Sequence, residues 1–342
     1  NTFLVSLITV LLATSYKQVN RLIFLFSILT LVAILKGFYQ KFIGFDAIEY
    51  NAIMESGMYK THLLSQITRY FSIFTDAGNY GSNMGFTCVL FGIIGLFSKK
   101  FNLKIYYICI SILSLYSMFI TGTRGAIVVP LGGILLFALI SKNIKLMSAA
   151  TVLGACIYIF FAFTWVGESN YMIRRMRTAF RPSKDASYLV RKQNQQKLAE
   201  YLRYKPFGEG LGLGGVEARR FSNRLTTNIP NDSTYVKIWT ETGIVGIILY
   251  LLIYAGALLW GCYYIMFKVR NNELRYLLTA LACGIFGMMI SAYGNAFFTQ
   301  FPTGIMMIMF LGILINGKYI DERLTIEKQR ALLITTKKDS AL

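Results

Sequence analysis

The sequence contains few ionisable residues, and the scarcity of some residue types excludes several kinds of functional site. Only 15% of its 342 residues are charged, and it has a single histidine, His62, which we expect at the surface. No grouping of His, Cys and carboxylate residues has the spacing of a metal site. All the cysteines lie inside apolar runs, so we expect neither a disulfide framework nor a thiolate site: Cys88, Cys109, Cys156, Cys262 and Cys283.

Apolar residues make up 55% of the chain, and its mean hydropathy is +0.51. A soluble core of this size could not bury so much apolar surface, whereas a bilayer could. We therefore predict an all-α, polytopic transmembrane helix bundle. About nine runs are long enough to cross a hydrocarbon core of roughly 30 Å: 2–16, 22–38, 80–97, 105–121, 125–141, 146–165, 243–267, 276–297 and 300–316. Because the sequence opens inside an apolar run without a Met, we expect its own beginning to be missing.

Basic residues predict how the bundle is oriented. If the runs alternate in direction, five basic segments fall on one side, which the positive-inside rule identifies as the cytoplasm. Four of them are short connections and the fifth is the tail after 317: Lys17 and Arg21; Lys99, Lys100 and Lys104; Lys142 and Lys145; Lys268 and Arg270. The N-terminus is then outside and the C-terminus inside. We predict four regions along the chain. Transmembrane helices 1–6 occupy residues 1–165, with an outer segment at 38–79, and an extracytoplasmic catalytic loop follows at 166–242. Transmembrane helices 7–9 occupy 243–317, and a cytoplasmic basic tail occupies 318–342.

The outer loop 166–242 carries many arginines although it lies on the side that should be poor in them. The net charge of +19 is compatible with nucleic acid, lipid headgroups or a polyanionic substrate, and its placement at membrane surfaces leaves no role for nucleic acid. Four arginines near the membrane exit are expected among headgroups, where they could also gather an anionic lipid-linked donor: Arg174, Arg175, Arg177 and Arg181. The runs from 80 to 316 hold almost no ionisable residue, which argues against an ion-coupled transporter.

Four stretches, read together on this topology, resemble the family of O-antigen ligases and O-antigen polymerases. They are RYFSIFTDAGNYGSNMGF at 69–86, TGTRGA at 121–126, KPFGEGLGLGG at 205–215 and DSTYVKIWTETGIVG at 232–246. The similarity extends over roughly residues 65 to 315. It implies a membrane glycosyltransferase that uses lipid-diphosphate-linked glycans. Family members look like bundles of about a dozen helices, which implies about three helices before this sequence.

Two arginines are candidates for binding a diphosphate. Arg124 lies at an outer turn, where it could be an ordinary interfacial arginine or, with Gly122 and Gly125 flanking it, could meet a ligand. Residues 187–204 read as a helix on which Arg191 is the one cation on the inward face, with Asn194, Gln195, Leu198 and Leu202. A buried cation needs an anionic partner. That partner could be a protein carboxylate such as Asp76 or Glu241, or a diphosphate, which suits the guanidinium fork equally well. Both arginines match arginines of the family.

The fourth stretch supplies further candidates. Asp232 could cap the following helix or orient an acceptor hydroxyl; so many neighbouring arginines would make it a poor base. The resemblance implies a histidine at this position in ligases, so Asp232 favours a polymerase. Tyr235 is predicted to contact the substrate, Arg69 could complete an arginine cluster, and Glu241 is expected to be structural. Gly210, Gly212 and Gly215 spell G-x-G-x-x-G without a strand and helix around them, so no dinucleotide and no other cofactor is expected.

The predicted reaction is an inverting glycosyl transfer at the outer face of the bacterial inner membrane. The resemblance implies undecaprenyl diphosphate as carrier of the donor oligosaccharide. The acceptor is another lipid-linked glycan if the protein polymerises O-antigen or other surface polysaccharide, and lipid A core if it is a ligase in lipopolysaccharide biosynthesis. A partner that regulates chain length could assist. A flippase or exporter of glycan lipids is the alternative from another class.

Overall fold

The computed structural model describes residues 2–64, 67–141, 144–180 and 186–339. Its architecture is helical, as predicted, and within these ranges the only strands form a two-residue hairpin, β1 (Leu63–Leu64) with β2 (Ile67–Thr68). Of the basic residues singled out from the sequence, Lys142 and Arg181 lie outside the described residues.

Fourteen α-helices are described, and they follow the predicted apolar runs. The first half of the chain holds α1 (Thr2–Leu12), α2 (Tyr16–Phe42), α3 (Ala47–Glu55), α4 (Tyr59–His62), α5 (Ala77–Phe97), α6 (Phe101–Ile120), α7 (Val128–Ile140) and α8 (Ile144–Phe163). The second half holds α9 (Tyr171–Arg177), α10 (Ala186–Leu202), α11 (Leu225–Asn228), α12 (Thr234–Phe267), α13 (Asn272–Ser291) and α14 (Thr303–Asp339). Short 3-10 turns span Arg124–Ile127, Thr178–Phe180 and Val216–Arg220.

Seven of the described helices are long and apolar enough to cross a membrane: α2, α5, α6, α8, α12, α13 and α14. The apolar segment Arg124–Ile140, which joins a 3-10 turn to α7, is shorter, and α1 has 11 residues. Every predicted run therefore contains a helix, and the prediction of a multi-pass transmembrane bundle is confirmed.

The centre of the bundle is formed by α5, α6, α7 and α13. Small residues let these helices approach closely, as is common between helices in membranes. At Gly287 in α13, a Cβ atom would lie 2.2 Å from the carbonyl oxygen of Val129, so no larger residue fits there. Stacked and edge-on aromatic rings of Phe26, Phe86 and Phe310 fill the adjoining space between α2, α5 and α14. This rigid centre fixes the ends of α5, α7 and α13, which carry the candidate site.

Two predicted boundaries were wrong. Helix α2 begins at Tyr16, after a capping box made by Ser15 and Gln18, so Lys17 and Arg21 lie in its first turns rather than in a connection. Helix α13 ends at Ser291, not near residue 297, and residues 292–302 form a loop. That loop is held against the start of α12, because the Thr234 hydroxyl donates to the Asn295 carbonyl oxygen at 3.0 Å.

Helix α12 is interrupted at Gly243, whose φ of 67° is not helical. The predicted boundary between 242 and 243 falls at this break. The segment 205–215 lies against the break. Its backbone amides and carbonyls form hydrogen bonds with backbone groups of α12 that the break leaves without a partner inside the helix. The Gly210 N–H donates to the Glu241 carbonyl oxygen at 3.0 Å, and the Val245 N–H donates to the Pro206 carbonyl oxygen at 3.2 Å.

The expectation that His62 is a surface residue was wrong, since His62 is only 3% exposed. Its Nε2 accepts a hydrogen bond from the Ala77 N–H at 3.1 Å, and its Nδ1 lies 3.2 Å from the Met58 carbonyl oxygen. The ring also packs edge-on against Phe71. Burial and the nearby Arg69 guanidinium lower the pKa of His62, so the neutral ring is favoured. His62 thus ties the hairpin region to the start of α5.

Candidate functional site

The turn between α6 and α7 is the centre of the candidate site. It contains Arg124, which is partly buried and whose Nη1 donates to the Thr178 hydroxyl at 3.0 Å. Gly122 adopts a φ of 60°, which lets the chain reverse sharply before Arg124. The buried Thr123 hydroxyl donates to the Ala77 carbonyl oxygen at 2.9 Å, so the turn is fixed to the first residue of α5.

Two further arginines bind this turn from different parts of the chain. Arg69 donates from Nε to the Thr121 carbonyl oxygen at 3.1 Å and from Nη2 to the Thr123 hydroxyl at 2.8 Å. Arg175, in α9, donates from Nε to the Gly122 carbonyl oxygen at 2.8 Å. The structure therefore brings Arg69 and Arg175 to the turn that carries Arg124, and three guanidinium groups share one small region.

The cluster, defined as Arg69, Arg124 and Arg175, brings positive charges close enough to affect one another. Burial, Arg175 and Arg124 lower the pKa of Arg69 to about 10, and the Asp76 carboxylate opposes that shift. Asp76 is itself engaged as the N-cap of α5, accepting from the Asn79 N–H at 2.9 Å. Arg69 and Arg175 are held at the turn by backbone carbonyls, and a guanidinium fork can bind two oxygens of an anion.

The expectation for the other basic residues near the membrane exit was only partly right. Arg174 is exposed and stacks on Tyr171, as a headgroup-facing arginine would. Arg175 and Arg177 instead turn into the protein. Arg177 is buried, and its Nη2 donates to the Val166 carbonyl oxygen at 2.5 Å. The physical reason is that α9 buries one face, centred on Met176 at 0% exposure, and this face directs the two arginines toward backbone carbonyls.

Arg191 lies on the packing face of α10, as predicted. The face contains the buried Leu198 and Leu202, at 1% and 5% exposure, with Asn194 and Gln195 partly buried. The residues predicted for the other side are all exposed: Lys192, Gln193, Gln196, Lys197, Glu200 and Arg203. Helical periodicity therefore identified Arg191 as the cation of α10 that lies on the packing face, whereas Lys192 and Lys197 are exposed.

The acidic partner of Arg191 is Asp232, not Asp76 or Glu241. Their Nε and Oδ2 atoms are 3.4 Å apart, and Arg191 also donates from Nη1 to the Gly294 carbonyl oxygen at 3.3 Å. The alternative role of Asp232 as a helix cap is not found, because Ser233 caps α12. Both side chains are partly exposed, in a small cleft that Asn194 and Pro230 also line. A long, exposed ion pair contributes little to stability, so these two charges are available to a ligand.

The loop 292–302 connects the two arginine regions. Gly294 in this loop accepts the hydrogen bond from Arg191. The next residue, Asn295, lies against the turn that carries Arg124, because a Cβ atom at Gly125 would be 2.6 Å from the Asn295 Nδ2. This Nδ2 is buried and has no hydrogen-bond partner among the described residues. The hydroxyl of Ser291, the last residue of α13, donates to the Gly125 carbonyl oxygen at 2.8 Å and fixes the start of the loop to the turn. Asn295 was missed from the sequence because it falls at the end of an apolar run.

Tyr235 lies near Asp232, but its hydroxyl donates to the Met289 carbonyl oxygen of α13 at 2.5 Å. The contact joins α12 to α13 close to the loop 292–302. Contact between Tyr235 and a substrate stays a prediction.

The glycine-rich segment 205–215 has a structural function in α12. A Cβ atom at Gly208 would lie 2.5 Å from the Gly243 backbone nitrogen, so the two chains touch at the break. Within this segment the Glu209 carboxylate, which sequence reasoning missed, is 2% exposed and pairs with Lys205 and Arg224. Burial alone would raise the pKa of Glu209, but its bonds to Lys205 and Arg224 leave it lowered. In the part of the chain that the structure describes, no group of three His, Cys, Asp or Glu residues could hold a metal ion.

Residues 109–251 match the model of a protein family described as O-antigen ligase. The resemblance to O-antigen ligases and polymerases is confirmed. The matched range includes Arg124, Arg175, Arg191 and Asp232, whereas Arg69 precedes it. No curated protein and no solved structure gave a significant match. The apolar helices form a multi-pass membrane bundle. The match to the O-antigen ligase family supports a glycosyltransferase-type enzyme of the bacterial inner membrane, because that family implies lipid-linked glycan substrates.

Proposed function

We propose that the protein transfers an oligosaccharide from a polyprenyl diphosphate to an acceptor hydroxyl with inversion at the anomeric carbon. The observation that supports this most is the cluster of Arg69, Arg124 and Arg175, in which Arg69 and Arg175 bind the turn that carries Arg124. A diphosphate carries several negative charges on oxygens that match the guanidinium fork. The cluster would therefore hold the diphosphate of the donor.

In the proposed reaction, the acceptor oxygen attacks the anomeric carbon from the face opposite the leaving group. The bond between that carbon and the diphosphate oxygen breaks, and the lipid diphosphate leaves with the electron pair. The acceptor hydroxyl releases its proton to water. Negative charge grows on the leaving oxygens, so guanidiniums that are already in place stabilise the transition state more than the ground state. The arginines supply this charge without a metal ion.

Arg191 and Asp232 would serve the neighbouring part of the substrate. Their 3.4 Å ion pair lies in an open cleft, so either group can reorient when a ligand enters. We assign Asp232 the role of orienting the acceptor hydroxyl. Arg191 can reach an oxygen of the diphosphate or of the first sugar, and the free Asn295 amide can donate beside it.

The positive-inside pattern supports placing this site on the outer face of the membrane, with the loop 166–242 in the periplasm. Undecaprenyl diphosphate is the proposed carrier. We favour polymerisation of O-antigen or another surface polysaccharide over ligation to lipid A core, because Asp232 stands where ligases carry a histidine. A protein that regulates chain length would be a partner in polymerisation.

Purified protein in liposomes tests the proposal. Given only a lipid-diphosphate oligosaccharide, a polymerase yields longer glycans and free lipid diphosphate. Product that forms only after lipid A core is added would identify a ligase. Movement of the glycan lipid across the bilayer with no new glycosidic bond would identify a flippase or exporter and refute the enzyme.

A further inference from the structure

A second anion-binding region lies at the other end of the bundle. The arginine cluster is near the end of α2 and the start of α5, whereas this region lies between the start of α2, the turn from α5 to α6, and the start of α13. It is a cavity of about 630 Å³, a volume typical of ligand sites. No residue of the proposed glycosyl-transfer site lines it, so the inference below does not depend on that function.

The mouth of the cavity carries an excess of positive charge. Lys17, Arg21, Lys99 and Lys100 line it, and Glu273 is the only carboxylate among the described residues that line it. Glu273 is already paired with Lys99, at 2.9 Å between Oε1 and Nζ. Lys17, Arg21 and Lys100 have no carboxylate within 4.0 Å among the described residues, so in that part of the chain three cations around one space have no counter-ion.

The walls below the mouth are apolar and aromatic. Phe24 follows Lys17 and Arg21 on one face of α2, at the helical spacing of three to four residues. Across the cavity, Leu103 and Tyr107 form a wall on α6, and the Phe97 ring stacks on Tyr276 with centroids 3.9 Å apart. Phe24 and Leu103 are both exposed. A charged rim above an apolar wall matches a molecule that has an anionic head and a hydrocarbon chain.

We propose that this cavity binds an anionic phospholipid of the bilayer. Lys17, Arg21 and Lys100 hold the headgroup phosphate, and an acyl chain lies along Phe24 and Leu103. Basic pockets between transmembrane helices bind lipid headgroups in this way. A soluble phosphate would use the cations but not the apolar walls, which is why the lipid is the better occupant. The bound lipid would fill the gap between α2 and α6 and neutralise the rim.

Binding of phosphatidylglycerol to the full chain in detergent, measured by native mass spectrometry, tests the proposal. Phosphatidylethanolamine and inorganic phosphate are the comparison ligands. We expect phosphatidylglycerol to bind at least tenfold more tightly than phosphatidylethanolamine, with inorganic phosphate unable to displace it at equal concentration. Each rim cation contributes about fivefold. The affinity should therefore fall by roughly a hundredfold when three are removed, in the variant Lys17→Gln, Arg21→Gln, Lys100→Gln.

The matched control removes three cations at the same end of the bundle that line another pocket together with Asp321 and Glu322: Lys268→Gln, Arg270→Gln and Lys318→Gln. It should bind phosphatidylglycerol as the parent does. Equal affinity for both lipids, displacement by phosphate, or equal losses in the two triple variants would each overturn the proposal. If the first variant does not fold, Phe24→Trp provides a second measurement. Its fluorescence should be quenched more by brominated phosphatidylglycerol than by brominated phosphatidylethanolamine, and equal quenching would refute the site.

Discussion

Arg69, which precedes α5, and Arg175, which lies in α9, donate hydrogen bonds to consecutive carbonyl oxygens, those of Thr121 and Gly122. Because a carbonyl has only a partial charge, this arrangement holds the two guanidiniums near Arg124 without neutralising them. Arg175 was expected among lipid headgroups, and its position in the cluster makes it a candidate binding residue for the donor diphosphate.

Replacing Arg175 should therefore impair catalysis. We expect Arg175→Ala to lower the rate of glycosyl transfer by roughly a hundredfold, the usual cost of removing one preorganised donor to a developing negative charge. Arg174→Ala is the matched control, since Arg174 is the adjacent residue but is exposed and stacks on Tyr171. It should keep most of the activity. Similar rates for the two variants, measured with purified protein and lipid-linked donor, would exclude Arg175 from the site.

The pair of Arg191 and Asp232 allows two roles for the aspartate to be separated. Asp232→Asn keeps the size of the side chain and one oxygen to hold Arg191, so an orienting residue should lose about tenfold or less in rate. Loss of a general base costs about a hundredfold to ten-thousandfold. Arg191→Ala should cost about a hundredfold, because a charged donor is removed.

The measurement is the rate of transfer across a range of pH. An orienting Asp232 leaves the pH profile of the Asp232→Asn variant unchanged. A large loss in rate together with the disappearance of one limb of the profile would assign Asp232 as the base and refute the orienting role.

Periodicity predicted what depends on local spacing. The membrane-spanning helices follow from the length of the apolar runs. The inward face of α10 follows from helical spacing, because burial of apolar residues decides which side of a helix packs. Arg124 and Arg191 were found because each stands alone in its context, one at an outer turn and the other on an otherwise uncharged face.

Contacts between distant segments could not be predicted in this way. Arg175 is one of several arginines in α9, and only the packing of Met176 determines which of them turn inward. His62 accepts a hydrogen bond from Ala77, and Asn295 lies against Gly125, and both partners are remote in sequence. Glu209 was not singled out because nothing local indicates that Arg224 reaches it.

The close contact at the break in α12 predicts a difference between two glycines of the same segment. Gly208 and Gly212 both have a positive φ, 73° and 79°, so alanine is strained by about 1 kcal/mol at either position. Only at Gly208 would the new Cβ meet other atoms, at 2.5 Å from the Gly243 nitrogen, whereas no atom lies within 4 Å at Gly212. Gly208→Ala should therefore destabilise the protein by about 1–3 kcal/mol more than Gly212→Ala. Thermal unfolding in detergent measures this, and equal midpoints would show that the segment does not press on α12.

His62 should make stability depend on pH. Its folded pKa is lowered from the ordinary value of 6.5 by burial and by Arg69, while Nε2 must stay unprotonated to accept from Ala77. Below pH 6.5 the unfolded chain binds a proton that the folded chain does not, so the free energy of unfolding falls as pH falls, until the folded pKa is passed. Above pH 6.5 the contribution is fully present. We expect the unfolding midpoint to drop between pH 7 and pH 5, and to drop less in His62→Gln, which has no titrating ring. Because His62 is the only histidine in the sequence, an identical drop in that variant would exclude it as the cause.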